Sequence, residues 1–223
     1  MMTGRNDRAE IFARLKAAQD GRLKAPHPGG MTPPKSAATK GKAMVTHFIN
    51  KAIAQYATVT ELDRFADVPG FMSDWLRGQN LPKEFVLAPI LSGLDWAKET
   101  TITPRPGAAT TADTVGVSLA YGAAAETGTV MMISGHHTPT TLNFVPDVEV
   151  IVLSKKDISA GMEGCWEKLR AYKTQNPMPR AVNFVTGPSR TADVEATMVL
   201  GAHGPRRLHI VLVDETSPWP KST

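Results

Sequence analysis

The sequence predicts an α/β fold: a three-layer sandwich with a mostly parallel central sheet. Short apolar runs typical of strands alternate with amphipathic runs typical of helices along most of the chain. Several apolar runs, such as VEVIVL at 148–153 and LHIVLV at 208–213, have no polar face. Such runs are typical of strands that are buried on both sides of a parallel sheet. A chain of 223 residues is long enough to enclose a full core around that sheet.

The first 42 residues differ in composition from the rest of the chain. An amphipathic helix is predicted over 5–23, with Ile11, Phe12 and Leu15 on one stripe, and a Pro-, Gly- and Lys-rich linker follows it. This arm carries nine Lys/Arg and three Asp/Glu, so it accounts for the net charge of +4. We therefore expect a basic N-terminal arm at 1–42 and an α/β domain at 43–223. The arm has no nucleic-acid recognition motif, and we interpret it as a solvated tail.

The elements of the domain follow from the spacing of its apolar residues. Met44, Phe48, Ala52 and Tyr56 recur every four residues, which predicts a helix over 43–56. The runs at 115–121 and 129–134 have no polar face, so we place both strands centrally in the sheet. In chain order we predict a helix at 43–56, a strand at 57–62, a helix at 67–78, strands at 84–89, 115–121, 129–134 and 148–153, a helix at 157–174, and strands at 181–185 and 208–213.

Residues 181–213 are predicted to form a strand–helix–strand unit around which the chain is organised. The turn TGPSRT follows the strand at 181–185, and a helix is predicted over 191–200 with Asp193 in its first turn. The loop before the helix of such a unit is a common anion-binding position. An ordinary helix start has the same appearance, so this alternative stays open. A second loop, GAHGPRR, follows the helix and shares a site with the first only if it folds back or meets another subunit.

Glu126 is the carboxylate that most needs an explanation, because it lies between two buried strands in the segment GAAAETGT. Either it accepts hydrogen bonds from loop amides or pairs with an arginine such as Arg190, or it acts as an acid, base or nucleophile. The adjacent His136 and His137 follow on a loop. Because no metal-ligand spacing surrounds them, we expect exposed loop residues rather than metal ligands.

Several classes of function are disfavoured by what the sequence lacks. Its single cysteine, Cys165, cannot form an internal disulfide or hold an iron–sulfur cluster alone, and its place on an apolar helix stripe predicts a small core residue. There is no Walker loop, no GxGxxG and no GxSxG elbow. No run approaches the roughly 18 apolar residues of a membrane span, and no secretory h-region is present. We expect a cytoplasmic protein.

Four ordered blocks of sequence closely resemble the LUD-domain family, in particular its lactate utilisation proteins. The resemblance covers about 110–214 strongly and the segment from 44 onward loosely. The blocks are AAETGT at 124–129, LNFVPDVEVIVL at 142–153, TGPSRTADVE at 186–195 and GAHGPRRLHIVLVD at 201–214.

This resemblance implies a fold similar to the NagB/RpiA/CoA-transferase group. It also implies a role in oxidising L-lactate to pyruvate, with no cofactor in this chain and iron–sulfur clusters in partner proteins. Glu126 is the candidate catalytic residue. The other positions that match the family motifs are candidates for binding a small carboxylate or phosphate: Thr127, Gly128, Thr129, Gly187, Pro188, Ser189, Arg190, Thr191, Asp193, His203, Gly204 and Pro205.

Three hypotheses about function follow. The leading one is an accessory subunit for lactate oxidation, with the two motif turns converging at the carboxyl ends of the strands. The second is a stand-alone acyl- or CoA-transferase-like enzyme, or a small-anion-binding enzyme, in which Glu126 attacks an acyl thioester. The third is a binding or regulatory module that uses the basic arm on nucleic acid or an acidic protein. Assembly into a homo-oligomer is compatible with all three.

Overall fold

The computed structural model describes residues 7–22, 40–192, 198–200 and 203–219. Among them are four α-helices: α1 Asp7–Arg22, α2 Gly41–Ala54, α3 Val68–Gly78 and α4 Met162–Lys173. The strands are β1 Thr58–Leu62, β2 Glu84–Leu87, β3 Thr103–Pro106, β4 Val115–Leu119, β5 Gly122–Ala124, β6 Thr129–Ile133, β7 Val148–Ser154, β8 Ile158–Ser159, β9 Val182–Val185, β10 Arg190–Ala192, β11 Met198–Leu200 and β12 Arg207–Val213. No helix among these residues is both long and apolar enough to cross a bilayer.

The chain divides into two compact units, Met1–Pro33 and Pro34–Thr223. The first contains α1, whose apolar stripe Ile11, Phe12 and Leu15 is exposed. The second contains all the sheets. The predicted helix at 5–23 is thus confirmed as α1, while most of the predicted linker lies outside the described residues.

Six strands form the central sheet in the order β1–β12–β7–β4–β2–β3, and every neighbouring pair is parallel. Strands β4 and β7, in the middle of the sheet, are buried along their whole length. Both faces of these strands are therefore covered, as their unbroken apolar runs indicate. The predicted α/β class with a mostly parallel central sheet is confirmed.

The two faces of the central sheet pack against different elements. Side chains of one parity, such as Val150 and Val211, pack against α3 through Met72. Side chains of the other parity, such as Ile151, pack against α2 through Phe48 and also against β6. The period-2 alternation of the strands thus sorts their side chains into two separate cores.

A second sheet, of four strands, forms an additional layer that the sequence did not reveal. Its order is β8–β5–β6–β9, and β6 is antiparallel to both of its neighbours. Val130 and Met132 of β6 pack in the core shared with the central sheet, whereas Met131 and Ile133 pack against α4. The prediction that 129–134 lies in the central sheet is wrong. A strand covered by a sheet on one side and a helix on the other is as apolar as a central parallel strand.

The predicted strand–helix–strand unit at 181–213 is also wrong. Strand β9 pairs with β6 in the second sheet, whereas β12 lies in the central sheet between β1 and β7. In place of the predicted helix over 191–200, β10 and β11 pair as a two-stranded antiparallel sheet. Residues 193–197, including Asp193, lie outside the described residues. The run TMVL suits a strand as well as a helix, and strand pairing decided between them.

Candidate functional site

The two loops singled out around 187 and 203 are in direct contact. The Ser189 backbone N–H donates to the Pro205 carbonyl at 2.8 Å, and the His203 N–H donates to Ser189 Oγ at 3.4 Å. A Cβ on Gly204 would lie 3.4 Å from the Ser189 Cβ. The second loop therefore folds back onto the first, which is one of the two arrangements that allow a shared site.

These loops enclose a cavity of about 460 Å³, which we call the turn cavity. It is lined by residues 184–190 and 203–205 together with Gln55, Asn143 and Phe144. Arg190 and His203 contribute its basic groups, and none of the described lining residues is acidic. The cavity lies at the amino ends of β7 and β12, because its 203–205 loop leads into β12 and Asn143 precedes β7. We expected the carboxyl ends of the strands, and that expectation is wrong for these loops.

A chain of hydroxyl groups joins the Glu-Thr-Gly-Thr turn to the end of β9. Thr127 Oγ1 lies 2.7 Å from Thr129 Oγ1, which lies 2.7 Å from Thr186 Oγ1. Thr129 is buried, whereas Thr127 and Thr186 are exposed. The antiparallel pairing of β6 with β9 produces this proximity, since Val130 lies opposite Val185. The two motif turns are therefore neighbours.

Two glycines let both turns approach the carboxyl end of α2. Gly128 and Gly187 have φ values of 69° and 75°, which disfavour residues with a side chain. A Cβ on Gly128 would lie 2.4 Å from the Ala52 nitrogen, and one on Gly187 would lie 2.1 Å from the Gln55 oxygen. The end of α2 is thus the support against which both turns are held.

Glu126 and Arg190 have different partners. Glu126 is half-buried, and its Oε1 accepts a hydrogen bond of 2.9 Å from the Met162 N–H at the start of α4. A carboxylate at that position also complements the positive end of the helix dipole. Glu126 does not line the turn cavity. Of the roles considered for it, the hydrogen bond from a backbone amide is present, whereas Arg190 contacts Tyr56 instead of Glu126.

The guanidinium of Arg190 lies over the ring of Tyr56, with its Cζ 3.1 Å from the ring centroid. Tyr56 follows α2 and has a φ of 67°, a left-handed conformation that is unusual for a bulky aromatic residue. This cation–π contact keeps Arg190 at the wall of the turn cavity without neutralising its charge. Thr191 lies in β10, next to Arg190. Pro188 lines the cavity between Gly187 and Ser189.

Two buried ionisable residues near the middle of the central sheet escaped the sequence analysis. Burial raises the pKa of Glu149 to about 8, although Ser118 Oγ donates to it at 3.0 Å. Burial lowers the pKa of His209 to about 4. Each is a polar residue within a largely apolar strand. That interruption of the apolar pattern was the sequence signal by which the buried ionisable residues could have been found. Cys165 is buried, which confirms it as a core residue, and burial raises the pKa of its thiol to about 11.

Comparison with known proteins places these motifs in a family. Residues 96–213, more than half of the chain, match the LUD domain model. Lactate utilization protein C of Shouchella clausii is 29% identical over 101 residues, which cover 45% of this chain and 44% of that protein. An uncharacterized protein of Neisseria meningitidis serogroup B is 39% identical over 109 residues, covering 46% and 44%. The chain therefore aligns with under half the length of these relatives.

A solved structure extends the likeness to the fold. The crystal structure of a DUF162 family protein from Deinococcus radiodurans matches 78% of this chain and 99% of that chain, with a TM-score of 0.54 and 19% sequence identity. At this identity the match concerns the fold alone. The fold, the four ordered blocks and the domain match agree, and the chain belongs to the LUD domain family.

Proposed function

We propose that this chain is an accessory component of an L-lactate-oxidising system, in which partner proteins carry the iron–sulfur chemistry and this chain binds a small carboxylate or phosphate in the turn cavity. The family match and the relatives named lactate utilization protein C support a role in lactate utilisation. The contact between the 187 and 203 loops is the observation on which the binding role depends.

The chemistry of the turn cavity suits a small anion. Arg190 supplies a permanent positive charge, and Ser189 and His203 supply polar groups beside it. Since none of the described lining residues is acidic, a bound carboxylate or phosphate meets no opposing charge. The cavity volume of about 460 Å³ exceeds the need of a three-carbon acid, so such a ligand shares the space with water.

Reconstitution tests the accessory role. The iron–sulfur partner proteins are assayed for electron transfer from L-lactate with this chain, without it, and with the Arg190→Ala variant. We expect lactate oxidation to fall when the chain is omitted and to be restored incompletely by the variant. Oxidation that proceeds at the same rate without the chain would remove the accessory role.

The contact of Glu126 with α4 gives no support to the alternative in which Glu126 forms an acyl adduct. That alternative is tested separately, by hydroxylamine trapping after incubation with acyl-CoA donors. We expect no glutamyl hydroxamate at Glu126. A hydroxamate that disappears in Glu126→Gln would establish the transferase hypothesis in its place.

A further inference from the structure

A second cavity lies away from the turn cavity. It has a volume of about 810 Å³, and we call it the His136 cavity, after one of the residues in its wall. It borders the start of β9 at Arg180 and Ala181, whereas the turn cavity borders the end of β9 from Phe184 onward. From Ala181 to Phe184 the extended chain makes three steps of about 3.3 Å, so roughly 10 Å separates the two cavities along β9. They are distinct sites.

One wall of the His136 cavity is a closed turn. Gly135 and Thr138 exchange two backbone hydrogen bonds of 3.2 Å, and Thr138 Oγ1 donates to the Ile133 carbonyl at 2.7 Å. The two residues between them, His136 and His137, are exposed and line the cavity. The adjacent histidines of the sequence are therefore presented together by a short, well-anchored turn.

Another part of the cavity wall is aromatic and held in place by a hydrogen bond and ring contacts. Trp219 Nε1 donates to the Ala120 carbonyl at 2.9 Å. Tyr121 meets Trp219 and Tyr172 edge-on, with ring centroids 5.2 Å and 5.5 Å apart. Tyr172 and Trp219 are both half-buried and both line the cavity. Such fixed, partly open rings are suited to stacking against a planar ligand.

Among the described residues that line the His136 cavity, Arg180 carries the one permanent charge. Arg180, His136 and His137 line it, and the side chains of all three are without a hydrogen bond or ion pair to any described residue. None of the described lining residues is Asp or Glu. Unpaired donors around an uncharged aromatic wall complement a ligand that joins an anionic group to a flat ring.

We propose that the His136 cavity binds a mononucleotide, with its base against Tyr172 and Trp219 and its phosphate at Arg180 and the two histidines. The volume falls within the roughly 300–1,000 Å³ of small-molecule sites. Side chains hold the ligand here, because the chain has neither a Walker loop nor a GxGxxG motif to cradle a phosphate with backbone amides.

Calorimetric titration of the full chain with AMP tests this proposal. Arg180→Ala should weaken AMP binding by between about 10- and 100-fold, the loss expected for a charged hydrogen bond. Tyr172→Ala should weaken AMP binding by about tenfold through lost stacking, whereas Tyr172→Phe should retain it. Adenosine and inorganic phosphate each contain only half of the recognised chemistry. Measured in Arg190→Ala, so that the turn cavity does not contribute, both should bind less tightly than AMP.

Two arginines elsewhere serve as matched controls. Arg170→Ala removes a charge on α4, and Arg190→Ala removes one from the turn cavity; neither should change the affinity for AMP. Absence of AMP binding at millimolar concentration would overturn the proposal. So would AMP binding that Arg190→Ala abolishes and Arg180→Ala leaves intact, or phosphate and adenosine affinities equal to that of AMP.

Discussion

Glu149 is an ionisable residue at a fully buried position in the central sheet. It is fully buried in β7, and Ser118 is its hydrogen-bond donor, while its Oε2 has no partner among the described residues. A charged carboxylate at this position would exchange its hydration shell for a single hydrogen bond. Burial therefore raises the pKa of Glu149 from 4.5 to about 8. The protonated form is therefore favoured in the folded protein near neutral pH.

This predicts a specific pH dependence of stability. Because the folded pKa lies above the unfolded one, the contribution of the neutral carboxyl is fully present below about pH 4.5 and is lost as the pH rises towards 8. Glu149→Gln should therefore gain stability relative to the wild type by roughly 3–5 kcal/mol between those pH values, since one pKa unit corresponds to about 1.36 kcal/mol. Urea unfolding at both pH values measures the difference, with the exposed Glu84→Gln as control. Parallel pH profiles for Glu149→Gln and the wild type would contradict it.

Burial shifts the pKa of His209 in the opposite direction to that of Glu149. Its ring stacks on Phe71 at a centroid distance of 5.5 Å and packs at a tilt against Trp75 at 4.8 Å. Its Nδ1 lies 2.7 Å from Thr58 Oγ1. Burial lowers its pKa from 6.5 to about 4, so the stability it contributes as a neutral ring is present above about pH 6.5 and is lost as the pH falls towards 4.

Removing one aromatic partner should raise that pKa. Trp75→Ala opens the site around His209 to water, and we expect the pKa of its ring to move from about 4 towards 6.5. NMR titration of the ring protons measures it. Trp166→Ala, which removes an exposed aromatic residue packed on Phe184 instead, should leave the His209 titration unchanged. An unchanged pKa in Trp75→Ala would show that burial by this residue is not the cause.

At the scale of elements, the end of α2 organises the candidate site. Gly128 precedes β6 and Gly187 follows β9, and both turns press against the last residues of α2. The helix is itself fixed by the burial of Phe48 and Ala52 in the core between the two sheets. The position of the turn cavity thus depends on a helix that contributes only Gln55, from its C-cap, to the cavity lining.

Alanine substitutions test this support. Gly187→Ala and Gly128→Ala combine a left-handed φ with a Cβ closer than 3.0 Å to backbone atoms, so each should destabilise the protein by roughly 2 kcal/mol or more. Gly78→Ala is the control, because a Cβ there meets nothing within 4 Å and its helical backbone gains up to about 1 kcal/mol. Thermal unfolding of the three variants measures their relative stabilities. Equal stabilities for all three would contradict the account of α2 as a support.

Some strands could be predicted from the sequence and others could not. Strands β7 and β12 were predictable because an apolar run without a polar face needs cover on both faces. The second sheet could not be predicted. Strand β6 is also covered on both faces, by a sheet on one side and a helix on the other, so its sequence pattern is the same. The two-stranded pairing of β10 with β11 was missed because a short run of mixed propensity takes its conformation from its neighbours.

At the scale of the whole molecule, the candidate site depends on the pairing of strands that are far apart in the sequence. The family motifs marked both turns, and their contact could be expected from a shared ligand role. Which side chain faces which could not be predicted, because it depends on the register of β6 against β9. That register brings Thr129 to Thr186, whereas Glu126 bonds to α4 and Arg190 stacks on Tyr56.

The proposed function depends on Arg190, held at the wall of the turn cavity, binding a small anion. Calorimetric titration of the wild type, Arg190→Ala and Glu126→Gln with pyruvate and with inorganic phosphate tests it most directly. We predict that Arg190→Ala loses roughly 1.5–3 kcal/mol of binding free energy for the anion that binds, as for the loss of a charged hydrogen bond, and that Glu126→Gln binds like the wild type. Wild-type protein that binds neither anion, or binding that Glu126→Gln abolishes and Arg190→Ala preserves, would contradict it.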